Sequence, residues 1–158
     1  LASSADSDTC LLRVPGLDLP PLPLSMSAQV GDRVFCLSHP DGNHWMFTAG
    51  MVSRFFINRE PATDGDKPPA KPVVAPSLYI NITAEYSPGS SGAPVVDEFG
   101  NVIGQVESIT SSVEEEKGDK GSGVTTSYGM PLRSCISAKE IGALTRRSAK
   151  PARSGTRR

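Results

Sequence analysis

Apolar positions along this chain fall into short runs separated by glycine, proline and charged residues, a pattern that predicts many brief strands and little helix. Thr9-Cys10-Leu11-Leu12-Arg13-Val14 reads as the first of them, a short buried strand. Residues 15–23 hold four prolines, which leave few backbone donors for a ladder, so an extended connector is expected there. Strand signals then recur. Residues 32–37 are one candidate, closed by the turn His39-Pro40-Asp41-Gly42. Residues 45–57 are a longer one, in which Gly50 marks a bulge or a close backbone approach. In 77–84, Leu78, Ile80 and Ile82 alternate on one face, as in a half-buried strand. Residues 93–96 and 101–108 flank Glu98-Phe99-Gly100-Asn101 as a hairpin, and 123–132 is the last strand candidate. Ser137 has the character of a helix N-cap, with Glu140 completing a capping box and Ile141 and Leu144 as the buried positions of a short helix. Six strands between 32 and 132 followed by that helix fit an all-β fold, a small six-stranded antiparallel β-barrel. Residues 58–76 and 114–123 read as exposed loops, and the tail from 145 to 158 has almost nothing to bury and is expected to be disordered.

Composition sharpens this reading. At 158 residues, with 15 glycines, 14 prolines and 37% apolar residues, the chain has the size of one turn-rich domain. A net charge of −1 argues against a general polyanion binder. After Glu140 come six basic residues and no acidic one, but without interleaved aromatics they offer at most weak, salt-dependent attraction to phosphate; no specific nucleic-acid partner is expected. No apolar run approaches the roughly 18 residues of a membrane span. The chain begins at Leu1 without a signal-peptide pattern, as expected of a piece of a longer product. Cys10, Cys36 and Cys135 sit among apolar neighbours, so buried free thiols are expected; they do not settle the compartment, and nothing in the pattern indicates an oligomeric state. Neither His/Cys clustering nor a phosphate-binding loop is present, so no metal or organic cofactor is implied.

The candidate chemistry lies in Ser87-Pro88-Gly89-Ser90-Ser91-Gly92-Ala93-Pro94. A hydroxyl attacks a carbonyl only when it is exposed, has a base to take its proton, and faces donors for the oxyanion that forms. A glycine-rich turn meets the geometric part of this: Gly89 frees the backbone to turn its N–H inward, Ser91 presents its oxygen, and Gly92 removes a blocking side chain. Taken alone, a segment of this composition is in most proteins simply a flexible Gly/Ser turn between strands. Ala93 rules out the Gly-x-Ser-x-Gly elbow of α/β-hydrolases, and no lysine follows to make a phosphate cradle.

The order of the surrounding features resembles the trypsin-like serine peptidase superfamily (chymotrypsin fold), particularly its bacterial Deg/HtrA-like branch. Gly89-Ser90-Ser91-Gly92-Ala93 is similar to that family's nucleophile motif, and it is followed by Pro94-Val95-Val96 and then Phe99-Gly100-Asn101-Val102-Ile103-Gly104 in the family's order. Upstream, Gly31-Asp32-Arg33-Val34, His39-Pro40-Asp41-Gly42 and Thr48-Ala49-Gly50-Met51-Val52-Ser53 resemble the opening of its second barrel. The resemblance implies Ser91 as nucleophile, the N–H groups of Gly89 and Ser91 as oxyanion hole, and Asp8, at the start of Asp8-Thr9-Cys10-Leu11-Leu12, as the carboxylate orienting a catalytic imidazole. It implies Ser127, Tyr128 and Gly129 as the strand binding substrate backbone. Glu85, six residues before the nucleophile, stands at the base of the primary pocket in the trypsin branch; it either favours a basic side chain there or is a solvated strand-end acid. Peptides or unfolded proteins are the implied substrates.

The general base is missing from this pattern. The family takes it from the first barrel, upstream of the Asp, and His39 and His44 read as turn residues. The expected layout is therefore the last strand of a first barrel and a connector in 1–24, the second barrel in 25–145, and a basic tail in 146–158. The function implied is a serine endopeptidase whose base lies outside this chain; the alternative is a catalytically inactive peptide-binding module on the same barrel.

Overall fold

A computed structural model of the chain describes residues 2–4, 7–58, 77–110, 113–116 and 125–149, with the backbone alone at 58, 113–116, 125–128 and 149. Two short strands, β1 (Ala2–Ser4) and β2 (Thr9–Leu11), pair antiparallel as a separate hairpin. β3 (Arg33–Ser38), β4 (Met46–Asn58), β5 (Ser77–Ile82), β6 (Pro94–Asp97) and β7 (Val102–Thr110) follow, then a second hairpin of β8 (Val113–Glu116) and β9 (Thr125–Tyr128). β10 (Leu132–Ser137) runs directly into α1 (Ala138–Ala149). The order β10-β5-β4-β3-β6-β7 closes on itself, since β7 also pairs with β10, giving a six-stranded antiparallel barrel with a C-terminal helix.

Inward positions of all six strands fill the barrel: Val34, Cys36, Val52, Ile80, Ile82, Val95, Ile103, Val106 and Cys135, with Ala84 and Tyr86 from the segment after β5. Gly50 is a close backbone approach, as its position in the strand predicts. A Cβ there would lie 2.1 Å from the Ala84 amide nitrogen. β5 is buried on both faces rather than one: Tyr79 packs on Phe56, and the fully buried Asn81 bonds the Arg133 carbonyl (3.1 Å) and the Ser134 hydroxyl (2.9 Å).

Several local expectations are corrected. The sixth barrel strand is β10, which begins only at the end of 123–132; Thr125–Tyr128 of that stretch is strand β9 and belongs to the second hairpin. Ser137 ends β10, its buried hydroxyl has no hydrogen-bond partner, and Glu140 accepts the N–H of Leu78 from β5 (3.1 Å), so no capping box forms. α1 continues through Arg146 and Arg147, past the expected tail boundary, because Leu144 is buried and the helix packs against β1, β7 and β10. β2 stops at Leu11, Cys10 is exposed, and Leu12 is 68% exposed, since the proline-rich connector brings no partner strand. Cys36 and Cys135 are buried free thiols, as expected. Part of the 114–123 loop is strand β8; residues 59–76, 117–124 and 150–158 lie outside the described residues. No helix among the described residues is long and apolar enough to cross a membrane.

Candidate active site

The segment from Ala84 to Ala93 leaves the barrel after β5 and re-enters it as β6. Tyr86 anchors its near end: the ring is buried, and the hydroxyl lies 2.8 Å from the Ser108 carbonyl and 2.9 Å from that of Ser134, tying the loop to β7 and β10. Burial pushes this phenol far above the ordinary tyrosine range, reinforced by the neighbouring Cys135 thiol, so Tyr86 serves as a neutral hydrogen-bonding strut.

Gly89 has φ +93°, a conformation that L side chains rarely adopt. A Cβ there would lie 3.0 Å from the His39 carbonyl oxygen, and the Pro88 carbonyl accepts the Asp41 N–H at 2.8 Å. The turn after β3 thus braces the loop from behind. Three N–H groups of the loop are bonded: Ser90 donates to Ser87 O (3.1 Å) and Ala93 to Ser90 O (3.0 Å) within it, and Gly92 donates to Val106 O of β7 (2.9 Å). Among the described residues, the N–H groups of Gly89 and Ser91 have no hydrogen-bond partner. The Ser91 side chain is exposed, and its hydroxyl makes one long bond, to the Glu107 carbonyl at 3.4 Å; the Ser90 hydroxyl is buried without a partner. An exposed hydroxyl beside two unpaired N–H groups meets the geometric part of what carbonyl attack needs, with donors free for an oxyanion; a base to take the proton is not supplied among the described residues.

The other predicted residues are spread more widely. Asp8 is exposed in the turn between β1 and β2, at φ +43°. Among the described residues no hydrogen bond links it to Ser91 or to a histidine. Glu85 has a side chain 79% exposed, with Arg133 Nη2 3.7 Å from its carboxylate. Ser127 and Tyr128 lie in β9, which pairs with β8 in a sheet of its own, and Gly129 follows half-buried. The strand that adjoins Ser91 is β7, at Glu107. Pairing of Pro94 with Gln105 and the Gly92–Val106 bond carry β7 back along the nucleophile loop, so hairpin counting from the Glu98-Phe99-Gly100-Asn101 turn is a signal that locates Glu107. No such local signal marks Arg133.

His39 and His44 stay at the surface beside Trp45. The Nδ1 of His39 accepts the Trp45 N–H at 2.9 Å. A neutral ring so bonded carries its proton on Nε2 and offers no lone pair there to a serine hydroxyl. Among the described residues no group of three His, Cys, Asp or Glu side chains is placed to hold a metal ion.

Residues 1–104 match the family described as trypsin-like peptidase domain. A curated relative, Protease Do-like 1 of the Arabidopsis thaliana chloroplast, is 33% identical over 103 residues, which are 63% of this chain and 22% of the relative. This chain thus spans about a fifth of that protein's length. Among solved structures, the Rv3671c protease of M. tuberculosis in its active form superposes with a TM-score of 0.64 at 24% identity, covering 98% of this chain and 60% of that one. The HtrA-type protease AlgW, solved with a tripeptide, superposes at 0.56 with 20% identity, covering 85% of this chain and 37% of that one. Both share the barrel architecture.

Proposed function

The chain belongs to the trypsin-like peptidase domain family, with HtrA/Deg-like relatives, and from that premise we propose that it is the nucleophile-bearing part of a serine endopeptidase. The observation that carries the proposal is the exposed Ser91 hydroxyl beside the N–H groups of Gly89 and Ser91, which have no partner among the described residues, while those of Ser90, Gly92 and Ala93 are bonded. Ser91 Oγ attacks the scissile carbonyl while a histidine takes its proton. The tetrahedral oxyanion is received by the N–H groups of Gly89 and Ser91, and loss of one such donor raises the barrier by about 2.7–4 kcal/mol. Collapse expels the amine, which takes the proton back from the imidazole, and water then hydrolyses the acyl-enzyme.

In this reading the base is a histidine outside this chain: the His39 ring already accepts the Trp45 amide, and among the described residues no hydrogen bond links His39 or His44 to Ser91. Asp8 orients that imidazole. Residues 1–24 are then the closing strand and connector of a first barrel, and 25–149 the second barrel with its helix. The peptide substrate aligns along β7 rather than along Ser127–Gly129, since the Glu107 carbonyl faces Ser91 and the two-residue repeat turns Ile109 to the same edge.

A second reading, a non-catalytic peptide-binding module, is favoured by the orientation of His39, which leaves Ser91 without a base among the described residues. A fluorophosphonate probe on the full-length protein separates the two. Covalent labelling that disappears in Ser91→Ala establishes the enzyme, and a folded protein that never labels establishes the module.

A further inference from the structure

A peptide laid along β7 with its scissile carbonyl at Gly89 and Ser91 drops the preceding side chain between two walls, residues 85–90 and 107–109. Two charged groups link those walls: Glu85 begins the first, and Arg133, on β10, is the ladder partner of Ile109 in the second and of Ile82 in β5. Its side chain is only 16% exposed, and its Nε is buried without a hydrogen-bond partner. Glu85, on the opposite wall, is 79% exposed, with its Oε1 3.7 Å from Arg133 Nη2. The cation is therefore the inner group and the carboxylate the outer one.

An ion pair this open and this long adds little to stability. Its consequence is electrostatic. The Arg133 guanidinium already gives the Glu85 carboxylate a counter-charge. A lysine or arginine side chain entering beside Glu85 meets that cation as well.

We infer that Arg133 is a specificity-determining residue that withdraws Glu85 from substrate and excludes basic side chains at the position before the scissile bond. The inference rests on the placement of Ser91 and β7 proposed above, and it reverses the preference that Glu85 alone would confer.

The test compares peptides that differ only in having lysine, arginine or methionine before the scissile bond. Hydrolysis is measured with the full-length protein, and binding of product peptides ending in the same residues is measured by fluorescence anisotropy with its Ser91→Ala form. The native protein is expected to favour methionine over lysine by about tenfold, and Arg133→Gln to erase that ratio or invert it. Arg133→Lys, which keeps the charge, should preserve it, unlike a substitution that acts only through packing. Adding Glu85→Gln to Arg133→Gln should cancel the gain in lysine. If Arg133→Gln does not fold, Glu85→Gln alone decides: it leaves the cation unopposed and should deepen the rejection of lysine. A native preference for lysine, or ratios unmoved in folded variants, overturns the inference. Charge discrimination in binding without Ser91-dependent hydrolysis removes the endopeptidase reading and leaves Arg133 in its role. Hydrolysis with ratios indifferent to Arg133 does the reverse.

Discussion

The Trp45 amide and the His39 ring are joined by a 2.9 Å hydrogen bond in which Nδ1 is the acceptor. Trp45 reaches this position at φ +64°, with its own side chain 74% exposed. The same histidine places its backbone carbonyl against Gly89. His39 is thus engaged at both ring and backbone in holding a turn behind the Ser91 loop.

That arrangement makes His39 replaceable. In His39→Asn the amide oxygen can accept the Trp45 N–H, so the folded protein should lose no more than about 1 kcal/mol of stability. Fluorophosphonate labelling of the full-length protein should stay within a few-fold of native, whereas Ser91→Ala should abolish it. If His39→Asn is as silent as Ser91→Ala, then His39 is the base after all.

Gly89→Ala puts a side chain on a left-handed backbone and brings its Cβ to 3.0 Å from the His39 carbonyl. The conformational strain should cost about 1–2 kcal/mol in a denaturant melt. Labelling should fall by about a hundredfold or more as the N–H turns away from the oxyanion. Gly100→Ala is the control: its φ of +82° carries similar strain, but no atom lies within 4 Å and it is far from the loop, so labelling should be retained.

The three thiols should separate by burial. Iodoacetamide should modify native protein once, at the exposed Cys10, and all three sites only after unfolding, as read by intact mass. Burial raises the thiols of both Cys36 and Cys135, the latter to about 12 from an ordinary 9.0. A raised folded value means that the neutral thiol favours the folded state. That contribution is complete below pH 9 and is lost as pH climbs from 9 towards 12. Melting temperature should fall across that window, and less steeply in Cys135→Ala.

Asp97 should shape the acid side. Burial works to raise its carboxyl, but Asn101 donates to it from side chain and backbone and Phe99 from its N–H, and these bonds hold it below the usual carboxylate range. A depressed folded value stabilises above the unfolded pKa and is lost as pH falls through the folded one. Asp97→Asn should be about 1 kcal/mol less stable than native at neutral pH, with the gap closing on acidification. A gap that persists at low pH would place the effect elsewhere.

Features with a local cause were legible along the chain. The Glu98-Phe99-Gly100-Asn101 hairpin needs only turn residues between β-branched runs, and it forms between β6 and β7. Gly50 was readable because a glycine inside a long apolar strand is costly unless a backbone passes close by. Ser137 was misread for an equally physical reason. Serine followed three residues later by glutamate is the grammar of a helix start, but here Glu140 finds a better donor in Leu78 on a strand distant in sequence. The last barrel strand therefore extends to Ser137, where local rules place a cap.

Alternation of apolar residues and turn chemistry were enough to indicate an antiparallel β-barrel and a glycine-rich turn at Ser91, since each depends on neighbours a few positions apart, but they misplaced the sixth strand. Which N–H groups of that loop remain unpaired, which ring nitrogen of His39 carries the proton, and which strand runs beside Ser91 depend on hydrogen bonds that close only when the barrel does. The meeting of Arg133 with Glu85 is of the same kind. A pair of opposite charges on separate strands leaves no periodic trace along the chain, because barrel closure, not spacing, brings them to 3.7 Å.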